Sequence, residues 1–80
     1  MKKKSRIPED IIIEIGKDYS VKYKRTEYKY IHDKNLEWYT KSCIVNKKQT
    51  DTCCIIENDL EKSINYVLSL AGDKFTITEI

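Results

Sequence analysis

Eighty residues, 40% of them apolar and 35% charged, make one domain with a single modest core, since a chain this short buries only roughly 60 to 65% of its unfolded surface. That balance is globular and leaves little room for a large catalytic cleft. The net charge of +2 divides unevenly: residues 1–48 carry 13 Lys and Arg against 7 Asp and Glu, and residues 49–80 carry 2 against 6, so a basic face for a polyanion and an acidic face for a basic protein are both open.

Lys2, Lys3, Lys4 and Arg6 give residues 1–7 the composition of a flexible basic arm. No apolar run approaches the roughly 18 residues of a membrane span, and acids follow the basic cluster where a signal peptide would continue apolar. The expected location is therefore the cytoplasm, without a membrane partner. Three cysteines, an odd number, fit a reducing compartment better than a disulfide framework.

Four isoleucines at positions 11, 12, 13 and 15 favour a strand, although Pro8, Glu9 and Asp10 would also suit the first turn of a helix. Gly16, Lys17 and Asp18 then turn the chain into a second strand, where Tyr19, Val21 and Tyr23 share one face opposite Ser20, Lys22 and Lys24. Tyr28, Tyr30 and His32 have the opposite parity, so a turn or bulge is predicted over Lys24 to Glu27. After a turn at Asp33, Lys34 and Asn35, residues Leu36 to Val45 alternate as a long strand with Trp38 as its expected anchor, followed by a polar loop from Asn46 to Asp51.

Thr52, Cys53, Cys54, Ile55 and Ile56 read as a central, buried strand in which both cysteines are small core residues. Asn58 or Asp59 with Glu61 predicts a capping box, and Leu60, Ile64, Val67, Leu68 and Ala71 form one helical stripe closed by Gly72. Phe75, Ile77 and Glu79 alternate with Thr76, Thr78 and Ile80 in a last strand. The fold class is α+β: an antiparallel sheet of five or six short strands in a single domain, residues 1–80, with one helix over 59–71 packed on one face and a final strand. One helix cannot cover so wide a sheet, and the surface left over is available to a partner or a second copy.

Reaction chemistry is sparse. Two glycines exclude a phosphate-cradling loop, and a single imidazole, His32, offers one base with no nucleophile in the pattern. Cys53 and Cys54 are adjacent and point to opposite faces of a strand, and His32 with Cys43 and Cys53 lacks zinc spacing, so neither a metal nor a cofactor is expected. Asp10 followed by Glu27-Tyr28-Lys29 resembles the carboxylate and lysine elements of the PD-(D/E)xK nucleases. Pro8 precedes Glu9 instead of that aspartate, however, and those nucleases have a longer core.

In size, in richness in Lys, Ile, Tyr and Asn, and in its strand–strand–helix layout, the chain resembles the small proteins that phages and mobile elements encode as anti-defence inhibitors, anti-CRISPR proteins among them. The resemblance implies a non-enzymatic inhibitor that binds a host protein, such as a nucleic-acid-binding defence complex, in the host-cell cytosol. The candidate protein-binding residues are the acids Glu57, Asp59, Glu61 and Asp73 and the strand aromatics Tyr28, Tyr30 and Trp38. The alternative is a small nucleic-acid-binding regulator that uses Lys22, Lys24, Arg25 and Lys29 with the neighbouring tyrosines. A homodimer through the exposed sheet is compatible with either.

Overall fold

Strand-forming residues dominate the middle of the chain, and the computed structural model, which describes residues 6–80, builds them into β1 (Tyr19–Tyr23), β2 (Thr26–Asp33), β3 (Trp38–Val45) and β4 (Lys48–Ile56). A 3-10 turn (Glu57–Asp59) leads into the helix α1 (Leu60–Ala71), and β5 (Thr76–Glu79) follows. The sheet is antiparallel in the order β4-β3-β2-β1-β5: consecutive hairpins lay down four strands, and the chain crosses back through α1 to place β5 beside β1. The fold is α+β as expected, and its 20 Å short dimension fits one sheet and one helix.

Two tight turns fix the register. Lys24 and Arg25 join β1 to β2 between the facing residues Tyr23 and Thr26, which accounts for the predicted switch of parity. Asn46 and Lys47 join β3 to β4, both with positive φ (53° and 68°), the pattern of a type I′ hairpin. Between β2 and β3, the Asp33 carbonyl accepts from Leu36 and Glu37, and Glu37 takes a positive φ of 57°. Gly72 ends α1 with a positive φ (79°) while its N–H donates to the Leu68 carbonyl.

The core lies between α1 and one sheet face. Tyr19, Val21, Tyr30 and Tyr39 from β1, β2 and β3 meet Leu60, Ile64, Val67 and Leu68, all at most 2% exposed. The helical stripe is thus buried as its spacing predicts, except that Ala71 is only half-buried. Ile64 touches no solvent, and truncating it to alanine is expected to cost about 2–5 kcal/mol.

The structure corrects several expectations. Residues 11–15 form no strand, because β5 already occupies the free edge of β1 and because tyrosine hydroxyls, not a partner strand, satisfy this backbone. The Tyr19 hydroxyl accepts from the Glu14 N–H at 2.8 Å, and the Tyr39 hydroxyl accepts from the Gly16 N–H at 2.7 Å and donates to the Lys17 carbonyl at 2.8 Å. Residues 1–5 of the expected arm lie outside the described residues. Beyond them, the Arg6 N–H donates to Asn65 Oδ1 at 2.7 Å and Ile7 packs against the core.

The apolar run Thr52–Ile56 is not central but belongs to the edge strand β4, where Cys53 and Cys54 are exposed. β4 also begins earlier than expected, taking in most of the predicted 46–51 loop. Thr50 is an extra residue between the Ile44–Gln49 and Cys43–Asp51 pairs, a bulge that interrupts this edge. Trp38 is 42% exposed, and Tyr39, directly opposite His32 and Ile55, fills the core position. No capping box forms, since the 3-10 turn precedes the helix and Asp59 makes no side-chain cap bond.

Candidate binding surfaces

The chemistry-bearing residues on the helix side are taken up by the fold itself. His32 Nε2 and Glu57 Oε2 lie 2.7 Å apart with side chains 10% and 28% exposed, tying β2 to the turn before α1. The imidazole packs on Tyr39 at 4.9 Å between centroids, and the His32 backbone N–H donates to Asp18 Oδ1. His32 Nδ1 is buried with no hydrogen-bond partner among the described residues. Because a carboxylate only accepts, Nε2 is the donor of this pair. The pair is a latch between two elements.

Lys41 sits among three aromatic rings, with Nζ 5.2 Å from the Tyr28 centroid and 6.0 Å from those of Tyr30 and Tyr66. These cation–π contacts join β3, β2 and α1, and they leave Tyr28 half-buried and Tyr30 fully buried. Burial pushes the Tyr30 phenol up to about 12, against the opposing effect of its bond to Ser63 Oγ at 3.0 Å. Burial raises Tyr28 and Tyr39 as well, Cys43 and Tyr23 adding to the effect on Tyr28. All three hydroxyls therefore act as neutral structural groups, and Tyr30 cannot touch a partner.

No described helix covers the opposite sheet face. Pairing puts Asp33, Trp38 and Ile56 in one row across β2, β3 and β4, and Ile31, Thr40 and Cys54 in the next. Ile31, Trp38 and Ile56 are 40 to 45% exposed there, and Leu36 in the β2–β3 turn is 61% exposed. A shallow cavity of about 220 Å³ opens beside them, lined by Leu36, Glu37, Trp38, Ile56, Glu57 and Asn58. Of the three aromatics singled out in the sequence, Trp38 alone is presented to solvent on this face.

The predicted acids do not gather. Glu57 is engaged by His32, Asp59 and Glu61 are exposed at the start of α1, and Asp73 lies past its end, about 18 Å away along a 12-residue helix. The predicted cations are more coherent. Lys22 and Lys29 are exposed on the open face, and Lys24 and Arg25 form the β1–β2 turn. Lys47, which the sequence reading did not single out, joins Lys22, Lys24 and Arg25 around a cavity of about 240 Å³. Asn46, a residue that tolerates a left-handed φ, was the available sign of that hairpin.

The nuclease-like set does not assemble, for Asp10 lies in an exposed turn of the N-terminal segment while Glu27 accepts from Ser20 Oγ at 2.6 Å on the open face. Among the described residues, no three His, Cys, Asp or Glu side chains are placed to hold a metal ion. No described helix is long and apolar enough to cross a membrane. Comparisons with family models, with curated proteins and with solved structures return no match for this chain.

Proposed function

We propose that this chain is a non-enzymatic binding protein, an inhibitor or adaptor that works by covering a functional surface of a host protein. The observation that carries the reading is the apolar patch of Ile31, Trp38 and Ile56, spread over two neighbouring rows of a sheet face that no described element covers. Trp is the residue most often found at the energetic centre of an interface, and here the rim around it is polar: Asp33, Thr40, Ser42 and Lys29 share the face. That mixture suits a partner that comes and goes better than a permanent self-association, whose contact would be more uniformly apolar. The resemblance to small anti-defence inhibitors directs the search for the partner to host defence proteins.

The test is retention of a cytosolic protein by the tagged chain, followed by calorimetry with the purified partner. Trp38→Ala should weaken that binding by tenfold or more, a loss of about 1.4 kcal/mol, while circular dichroism stays unchanged. Equal binding by the Trp38→Ala variant, or a mass in light scattering that shows the face closed in a homodimer, would remove this reading.

A further inference from the structure

We infer that the paired hairpin tips at the far end of the sheet form a second site, which binds single-stranded nucleic acid through its phosphates and bases. Three independent observations lead there. The first is convergence: the Asn46 N–H donates to the Arg25 carbonyl at 2.9 Å, so the β1–β2 and β3–β4 turns are fastened side by side. This brings Lys22, Lys24, Arg25 and Lys47 together. Lys74, after α1, faces Lys22 and Lys24 across a neighbouring cleft. Glu27 and Asp73 are the carboxylates beside them, Glu27 being held by Ser20. None of these five cations has an ion-pair partner among the described residues.

The second observation is strain. Lys24, the first residue of the β1–β2 turn, and Lys47, the second of the β3–β4 turn, both have a left-handed φ (54° and 68°), and at the position of Lys47 a type I′ hairpin ordinarily holds glycine. A lysine thus stands at each tip where the backbone disfavours a side chain, which sets one ammonium group on each hairpin at some cost in stability. The third is the cleft. It measures about 480 Å³ and is lined by Tyr23 and Phe75 together with Lys22, Lys24, Asp73, Lys74 and Thr76. Tyr23 and Phe75 are half-buried and pack against the core, Tyr23 stacking on Tyr28 on the face of β1 opposite Lys22. The ring surface they leave open at the cleft, next to its cations, suits a single strand, whose bases stack while its phosphates meet ammonium groups. An acidic peptide would leave the rings idle, and a duplex keeps its bases out of their reach.

The experiment is fluorescence anisotropy of a labelled oligothymidylate of about 20 nucleotides, titrated with the full chain. Contact with about four phosphates predicts a loss of about 50-fold in affinity between 50 and 200 mM salt. The informative variant is Lys24→Gly with Lys47→Gly, because glycine removes the charge and also relieves the strained backbone. It should melt no lower than the parent chain, bind more weakly at low salt, and lose only about 7-fold over the same salt range. Phe75→Leu should weaken binding with the salt slope unchanged, as expected for lost stacking. Equal affinity of the double glycine variant, no salt-sensitive binding of the oligonucleotide, or a duplex bound as tightly as the single strand would each overturn the assignment.

Discussion

Replacing Tyr39 with phenylalanine isolates one hydroxyl that holds the N-terminal segment on the sheet. The ring stays in the core, where Tyr39 has no exposed surface, so packing is nearly unchanged. What is lost is the bond accepted from the Gly16 N–H at 2.7 Å and the one donated to the Lys17 carbonyl at 2.8 Å. At about 1 kcal/mol per bond the variant should be destabilised by about 2 kcal/mol in urea unfolding, somewhat less if water reaches the freed groups. Tyr19→Phe removes the analogous bond to the Glu14 N–H at 2.8 Å and a longer one to the Ile12 carbonyl at 3.4 Å, and it should cost about 1 kcal/mol. Both hydroxyls hold the same segment, so the double variant should lose less than the sum of the two. Hydrogen exchange at Gly16 and Glu14 gives the local readout, and each amide should lose its protection when its own acceptor is removed. A loss below about 0.5 kcal/mol with unchanged exchange at Gly16 would mean that apolar contacts of Ile7 and Ile13 hold the segment, and the account of why 11–15 is not a strand would fail.

Lys47→Gly should raise stability by about 1 kcal/mol and Tm by about 4–8 °C because it relieves a φ of 68°, whereas Lys47→Ala should do neither. Trp38→Thr should change stability by less than about 1 kcal/mol and Tyr39→Ala should cost about 3–5 kcal/mol, a contrast that reports which of the two neighbours is in the core. Stability should also fall with alkali: the folded pKa of Tyr30 is raised to about 12, so its contribution is full below the ordinary tyrosine value near 10 and lost as pH rises from about 10 to 12. The total is at most about 3 kcal/mol. In Tyr30→Phe that part of the pH dependence should be missing, and an identical slope in urea unfolding at pH 10 to 11.5 would refute the assignment.

Patterns within an element were legible, and placement between elements was not. Tyr28, Tyr30 and His32 share a parity, and so do Tyr19, Val21 and Tyr23, which was enough to locate the first hairpin. The same arithmetic could have found Tyr39: an antiparallel partner of His32 across a four-residue turn is residue 39, so Trp38 must point the other way. Hydrophobicity alone favours Trp over Tyr as an anchor, and register overrides it. Nothing local to Thr52–Ile56 says that β4 is an edge, because that depends on β5 returning to β1 from the far end of the chain. Likewise the four isoleucines have strand composition, but their backbone is bonded by hydroxyls from Tyr19 and Tyr39, which no propensity anticipates.

The two proposed surfaces can be separated because the strands hold them apart. β3 carries Trp38 at one end and runs into the Asn46–Lys47 turn at the other, a span of about 24 Å for seven residue steps. At that distance salt screens any interaction between the basic tips and a ligand lying on the apolar patch around Trp38. Trp38→Ala should therefore leave oligonucleotide affinity within about twofold, and the double glycine variant should leave affinity for a protein partner within the same range. A crossed result, with the tip variant abolishing protein binding, would mean that one extended partner lies along the whole open face. The lysines would then contact acidic groups of that protein, and the salt slope measured with the oligonucleotide would be an incidental property of a positively charged rim.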